Sequence, residues 1–304
     1  MVSVDLTKPS ELKRLLQAHG MTLSKRFGQN FLVERVHLER VVDTAQVGPE
    51  DRILEIGPGA GTLTLELARR ARQVATVELD RGLLPILADV LAPFSNTSVT
   101  QADALKLDLP AFLWEQFGSD IAPSDVKVVA NIPYNITSPL LVKFLEVKPA
   151  FASITLMVQK EVADRLRAKP GEDAYGSITV FAQFYAHVSV TGIVPRGAFF
   201  PSPKVDSAVL HLIPRAVPPV EVPSEAVFFL VSRAAFGQRR KTLWNALTNA
   251  PTLAFDRETV AAALSEAGID GQRRGETLSL QELASVARAL PFAAFDNREA
   301  LGVE

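Results

Sequence analysis

The apolar segment Arg52-Ile-Leu-Glu-Ile56 runs directly into Gly57-Pro-Gly59-Ala-Gly61 and then into a helical pattern over 62–72. A buried strand that passes to a helix through alternating glycines leaves few folds open. It is what the first strand of an open α/β sheet does at its ligand-binding edge. Four further short apolar segments read as parallel strands: Gln73-Val-Ala-Thr-Val-Glu78, Ser98-Val-Thr-Gln101, Val126-Lys-Val-Val-Ala130 and Ile154-Thr-Leu-Met-Val158. Helical spacing over 81–91 and 138–146 alternates with them, which predicts a doubly wound α/β domain with right-handed crossovers. A helix over 176–185 follows. The extended stretches 187–194 and 207–213 flank a loop rich in Pro and Gly and are expected to pair as an antiparallel hairpin at the sheet edge.

Pro214-Arg-Ala-Val-Pro-Pro219 has the chemistry of a linker, because three prolines in six residues forbid helix or central strand. From 224 to 290 the pattern is helical throughout, with breaks at Gly237, Pro251, Gly268 and Gly271. The expected organisation is an α/β domain over 1–215, opening with a helical extension over 1–45, and a small all-helical domain over 221–304. The 304 residues suit two domains of about 150 each.

Several function classes fall away on composition. With 47% hydrophobic and 22% charged residues the chain is ordinary globular material. Its apolar runs fall well short of the roughly 18 residues a spanning helix needs. Asp5, Lys8, Glu11 and Lys13 stand where a signal peptide would be apolar, so a cytoplasmic protein is expected. The absence of cysteine excludes disulfides and thiolate nucleophiles, and the four histidines lack ligand spacing, so no metal is expected. A net charge of −2 gives no overall attraction to a polyanion; any nucleic-acid surface must be local.

The glycine spacing is G-x-G-x-G, whereas a dinucleotide loop is G-x-G-x-x-G and aims a helix N-terminus at a pyrophosphate. S-adenosylmethionine has no phosphate to hold, and suits such a turn better. Glu78 ends the second strand about 20 residues beyond Gly57, where an acidic side chain can accept both ribose hydroxyls. Asp103, after the third strand, can accept from an adenine amino group. Taken singly, a glycine turn can be structural and a strand-end carboxylate a solvated cap; in order after successive strands they predict a nucleoside-cofactor site.

After the fourth strand comes Asn131-Ile-Pro-Tyr134. An exocyclic adenine amine is a poor nucleophile because its lone pair is delocalised into the ring. Two acceptors, the Asn131 side-chain oxygen and the Ile132 carbonyl, can take its two N–H bonds and favour a pyramidal nitrogen. Pro133 stiffens the loop, and Tyr134 offers a face for an unstacked base. The bare tetrapeptide can also be a turn.

At these residues the chain resembles the KsgA-type ribosomal RNA adenine dimethyltransferase family acting on small-subunit rRNA. The likeness runs from about 12 to 290 and rests on Lys25-Arg-Phe-Gly-Gln-Asn-Phe-Leu32, the Gly57 loop, Glu78-Leu-Asp80, Gln101-Ala-Asp103, Asn131-Ile-Pro-Tyr134, Val158-Gln-Lys-Glu-Val-Ala163, Phe199-Phe-Pro-Ser-Pro-Lys-Val205 and Arg239-Arg-Lys-Thr-Leu243. It implies a Rossmann-like class I methyltransferase sheet with a helical C-terminal domain. It implies that Asn30, Leu32, Gly57, Gly59, Glu78, Asp103 and Asn131 serve S-adenosylmethionine. Tyr134 and Phe199 would then flank a flipped adenine, beside Asn131, Ile132 and Pro133. The expected product is dimethyladenosine at two adjacent positions in the 3′-terminal hairpin of 16S rRNA, made on a 30S or pre-30S particle by a monomer.

Two windows carry only basic charge: Lys13, Arg14, Lys25 and Arg26 in 12–33, and Arg233, Arg239, Arg240 and Lys241 in 226–255. Lys25, Arg26 and the second set are the candidate phosphate contacts; the plainer reading of each is a solvated helix face. Leu243 and Leu247 are expected to pack inward. Competing functions are a large-subunit rRNA methyltransferase that confers antibiotic resistance, a non-catalytic ribosome assembly factor and, more distantly, a nicotinamide-dependent oxidoreductase that the glycine spacing disfavours.

Overall fold

A computed structural model of the chain describes residues 5–21 and 30–292. They form two compact units, one from the chain up to Ala163 with Ala186–Pro214, the other from Asp164–Tyr185 with the chain from Arg215 onward. Among the described residues no helix is long and apolar enough to cross a membrane.

The first unit opens with α1 (Pro9–Ala18), which buries Leu12 and Leu16. A two-residue strand β1 (Phe31–Leu32) and α2 (Arg35–Thr44) follow. Then come β2 (Arg52–Ile56), α3 (Thr62–Arg70), β3 (Gln73–Glu78), α4 (Leu84–Leu91), β4 (Thr97–Gln101), α5 (Leu109–Phe117), β5 (Val126–Asn131), α6 (Thr137–Glu146) and β6 (Ser153–Gln159). The chain leaves this unit within α7 (Lys160–Arg167), passes through α8 (Ser177–Tyr185) and returns as β7 (Ala186–Val194), β8 (Phe199–Phe200) and β9 (Ser207–Pro214).

Seven strands make one sheet in the order β4-β3-β2-β5-β6-β9-β7. The first five are parallel; β2, β3, β5 and β6 are buried along nearly their whole length and mostly apolar, whereas β4 at the edge is Thr/Ser-rich and half-buried. The 187–194 and 207–213 stretches do pair antiparallel, as expected, but β9 sits inside the sheet against β6, leaving β7 at the edge. Chain order reverses beside β2, with β3 on one side and β5 on the other. That is the switch point where the carboxyl ends of strands leave a crevice. Leu54 pairs with Val128, and continuing that register sets Gly57 level with Asn131.

Two expectations change here. The 1–45 extension is not wholly helical: Phe31 and Leu32 are buried and pair with Phe200 and Phe199. The helix expected over 81–91 starts at Leu84, after a short 3-10 turn in which Asp80 accepts from the Gly82 N–H. Pro85 explains the delay, since proline fits a first helical turn and not an interior.

Among its described residues the second unit contains α8 and four further α-helices, α9 (Glu225–Phe236), α10 (Leu243–Thr248), α11 (Arg257–Glu266) and α12 (Leu280–Ala289). Their starts are written in the sequence. Ser224, Thr242, Asp256 and Ser279 each accept a hydrogen bond from the N–H three residues on, and Glu282 completes a capping box with Ser279. The 164–185 segment was expected in the α/β domain. It falls here because the apolar face of α8 needs cover: Phe184 stacks on Phe228 of α9 with centroids 4.9 Å apart, and Phe229 closes on both Phe181 and Phe184.

Candidate active site

The crevice at the switch point is a cleft lined by Asn30, Leu32, Gly57, Gly59, Glu78, Asp103 and Asn131, together with Phe31, Glu55, Leu79, Leu105 and the loop 132–136. Every residue expected to serve a cofactor therefore faces one space. Gly57 and Gly59 have φ of +70° and +61°, which side chains rarely adopt. A β-carbon on Gly59 would lie 3.1 Å from the Phe31 ring, so the turn is tight against the first motif.

Glu78 ends β3 and is almost fully buried. Its Oε1 accepts from the Asp80 N–H at 2.8 Å and its Oε2 from the Gly59 N–H at 3.4 Å. Burial pushes its carboxyl above the usual range, and those two donors pull it back down. Asp103 Oδ1 accepts from the Leu105 N–H at 3.0 Å. The cradle has the chemistry a nucleoside needs: the glycines leave room for close approach, and two carboxylates, Glu78 and Asp103, line it after successive strands.

Asn131 closes β5, and its Nδ2 donates to the Asn30 carbonyl at 3.3 Å. That bond sets which end of the amide is oxygen, leaving Oδ1 without a partner among the described residues. The Ile132 side chain is buried and holds the loop down. Pro133 packs against Gly57. Tyr134 lines the cleft, and its hydroxyl lies 2.7 Å from the Ser207 hydroxyl at the start of β9. Burial raises the Tyr134 phenol, so the ring stays neutral.

Phe199, expected as a second aromatic face, is buried beside Leu32, which lines the cleft. It is 4% exposed, belongs to the apolar cluster that includes Leu32, Val194 and Val209, and does not line the cleft. Its pairing with Leu32 across the β1–β8 ladder accounts for this. Of the expected phosphate contacts, Lys25 and Arg26 lie outside the described residues. Arg233, Arg239, Arg240 and Lys241 are all exposed in the second unit. The last three occupy the turn before α10 rather than a helix face. Arg239 is tied to the Glu276 carboxylate at 3.4 Å and to the Asp173 carbonyl at 2.8 Å. Leu243 and Leu247 do pack inward.

Two polar groups at the site went unnoticed in the sequence. Ser207 gave no signal, because its contact with Tyr134 spans 73 residues. Glu55 did give one, a carboxylate inside an apolar strand. It is 1% exposed, its Oε2 has no hydrogen-bond partner, and burial pushes its carboxyl up to about 8, helped by the nearby Glu78 and opposed by the Thr64 hydroxyl.

Residues 20–290 match the family described as Ribosomal RNA adenine dimethylase. The chain is 46% identical to Ribosomal RNA small subunit methyltransferase A of Anoxybacillus flavithermus over 94% of its own length and 96% of that protein's. Among solved structures it resembles a dimethyladenosine transferase from Plasmodium falciparum, with a TM-score of 0.69 and 25% identity, covering 83% of this chain and 94% of that one. It also resembles the 23S rRNA methyltransferase ErmE, with a TM-score of 0.64 and 30% identity over 86% of this chain and 99% of that one. A match of this extent makes the chain a member of the ribosomal RNA adenine dimethylase family.

Proposed function

We propose that this protein transfers methyl groups from S-adenosylmethionine to the N6 amines of two adjacent adenosines in the 3′-terminal hairpin of small-subunit rRNA, giving dimethyladenosines on a 30S or pre-30S particle in the cytoplasm. The observation that carries the reading is the Asn131 amide in the cleft, tethered through Nδ2 to the Asn30 carbonyl so that Oδ1 is left free, with Tyr134 lining the same cleft.

The glycine turn, Glu78 and Asp103 would hold the cofactor, with Asn30 and Leu32 closing the near wall. When bound, it supplies a methyl group on a positively charged sulfur. In the first transfer Asn131 Oδ1 and the Ile132 carbonyl accept the two N–H bonds of the target amine, and in the second one of them accepts the single N–H that remains, each time localising the lone pair toward the methyl carbon. Pro133 keeps these acceptors fixed, so little reorganisation is needed as the nitrogen gains positive charge. Tyr134 supports the unstacked base, and Ser207 holds the ring in place. The alkylated nitrogen is strongly acidic and loses its proton without a dedicated base. Accordingly, the loop 131–134 contains no carboxylate or imidazole.

The small-subunit reading rests on 46% identity across nearly the whole chain, against 30% to the 23S enzyme. The test is to incubate the protein with labelled S-adenosylmethionine and small subunits lacking the modification, then identify the nucleosides. N6,N6-dimethyladenosine at the adjacent pair is expected. Label confined to large-subunit RNA would overturn the assignment. In the same assay Asn131→Ala should cost about a hundredfold or more in rate, the scale for losing a preorganised polar group, and turnover near wild type would remove Asn131 from the chemistry.

A further inference from the structure

The wall of the cleft that carries Asp103 is a loop without regular structure, residues 102–108, between β4 and α5. Its own main chain does little to fix it. The Lys106 N–H donates to the Asp103 carbonyl, and the Leu105 N–H donates to Asp103 Oδ1. The carbonyls of Leu105 and Leu107 take no part in that turn. Both are held from across the unit by Lys143 of α6, whose Nζ donates to Leu105 O at 2.8 Å and to Leu107 O at 2.5 Å.

Lys143 is an unusual residue for its place. It sits in Leu140-Leu-Val-Lys-Phe-Leu145, where Leu140, Leu141, Phe144 and Leu145 are buried, and no carboxylate pairs with it among the described residues. An ammonium that is half withdrawn from water and spends two of its three donors on main-chain carbonyls is a clamp rather than a surface charge. Burial lowers its pKa, and Asp103 and Asp108 oppose that. The clamp is directional: it holds the Leu105 carbonyl, and the Leu105 N–H holds Asp103 Oδ1, while Asp103 lines the cleft with the exposed Lys106 ammonium 4.0 Å from its Oδ2. Lys143 also stands on the helix that directly follows the Asn131–Tyr134 loop, so the base side of the cofactor cleft and the catalytic loop are referred to one rigid element.

We infer that Lys143 is a positioning residue that sets the Asp103 wall for the adenosine end of the cofactor; this rests on the reading of the cleft as an S-adenosylmethionine site. Lys143 touches neither reacting atom. Its loss should therefore weaken adenosine recognition and leave the methyl-transfer step itself almost unchanged.

The experiment is calorimetric binding of S-adenosylhomocysteine and of methylthioadenosine, which keeps the adenosine but lacks the amino-acid half, to wild type, Lys143→Met and Lys143→Arg, with melting curves and rRNA methylation on each. Lys143→Met should weaken both ligands by the same factor, about tenfold or more for two lost charge-assisted bonds. Its kcat at saturating S-adenosylmethionine should stay within about twofold, since only binding is lost. Arginine, which keeps the charge and the donors, should recover much of the affinity. A variant that melts lower yet binds both ligands as wild type does would show a purely structural lysine and overturn the inference. So would a loss confined to S-adenosylhomocysteine, or to kcat. If Lys143→Met does not fold, Lys143→Arg and Lys143→Gln carry the same comparison. Failure of the wild-type protein to bind S-adenosylhomocysteine would instead remove the cofactor reading beneath it.

Discussion

Pro133 closes over the α-carbon of Gly57: a β-carbon built on Gly57 would lie 3.2 Å from Pro133 Cδ. The glycine turn after β2 and the 131–134 loop after β5 thus lean on each other, as expected of neighbouring strands whose register sets Gly57 level with Asn131. Gly57→Ala should disturb both loops. The left-handed backbone alone costs about 1–2 kcal/mol for a residue with a side chain, and displacement of Pro133 adds to it. A lowered melting temperature with weakened S-adenosylhomocysteine binding is expected. Wild-type affinity in this variant would mean that the turn does not approach the ligand.

Among the described residues the Tyr134 hydroxyl has one partner, Ser207, whose side chain is fully buried. Tyr134→Phe and Ser207→Ala remove the same hydrogen bond from opposite ends. Each should slow methylation a few-fold and cost about 1 kcal/mol of stability, and the double variant should cost no more than the worse single one. Tyr134→Ala, which removes the ring, should be far slower than either. Additive losses in the double variant would show that Ser207 acts on something other than Tyr134.

The elements that could be read from sequence were those whose signal is local. Buried parallel strands such as β5 show as apolar runs, and Ser279 with Glu282 announces α12 before any contact is known. The glycine turn and Asn131 were legible for the same reason. Pairing at a distance was not: β1 and β8 are two residues each, and nothing near Phe31 says that Phe200 will lie beside it. The fate of Phe199 follows from that ladder, so it too was hidden. Periodicity identified an apolar face on α8 but not the Phe228 ring that covers it. α5 was missed although Asp108 and Pro110 mark its start, because its apolar residues follow a loop with no strand signal of its own.

Arg239, Arg240 and Lys241 are adjacent in sequence and unlike in structure. Arg239 is held by Glu276 and the Asp173 carbonyl, whereas Arg240 and Lys241 are exposed with no ion pair among the described residues. Reversing Arg240 and Lys241 to Glu should weaken binding to small subunits and flatten its salt dependence by about 0.7–0.9 per lost phosphate contact, with the melting temperature unchanged. Arg239→Ala should instead lower the melting temperature of the helical unit. Salt-dependent binding identical to wild type in the double reversal would take these two residues out of the RNA surface.

Glu55 gives the protein a pH dependence of defined sign. Burial lifts its carboxyl from 4.5 to about 8, so at neutral pH it is protonated in the folded chain and ionised in the unfolded one. Below pH 4.5 both states carry the proton and Glu55 is neutral in the balance. As pH rises from there, each unit costs the folded state about 1.4 kcal/mol until the folded pKa is passed, an accumulated penalty on the order of 5 kcal/mol. Glu55→Gln keeps the shape and cannot ionise, so its stability relative to wild type should rise steadily between pH 5 and 8 and level off above. Its own cost, a buried amide with Oε2's place still unpaired, does not vary with pH and sets only the offset. Urea unfolding of both proteins across that range, without ligand, measures the difference directly, and a gap that stays constant with pH would mean that Glu55 is ionised in the folded protein.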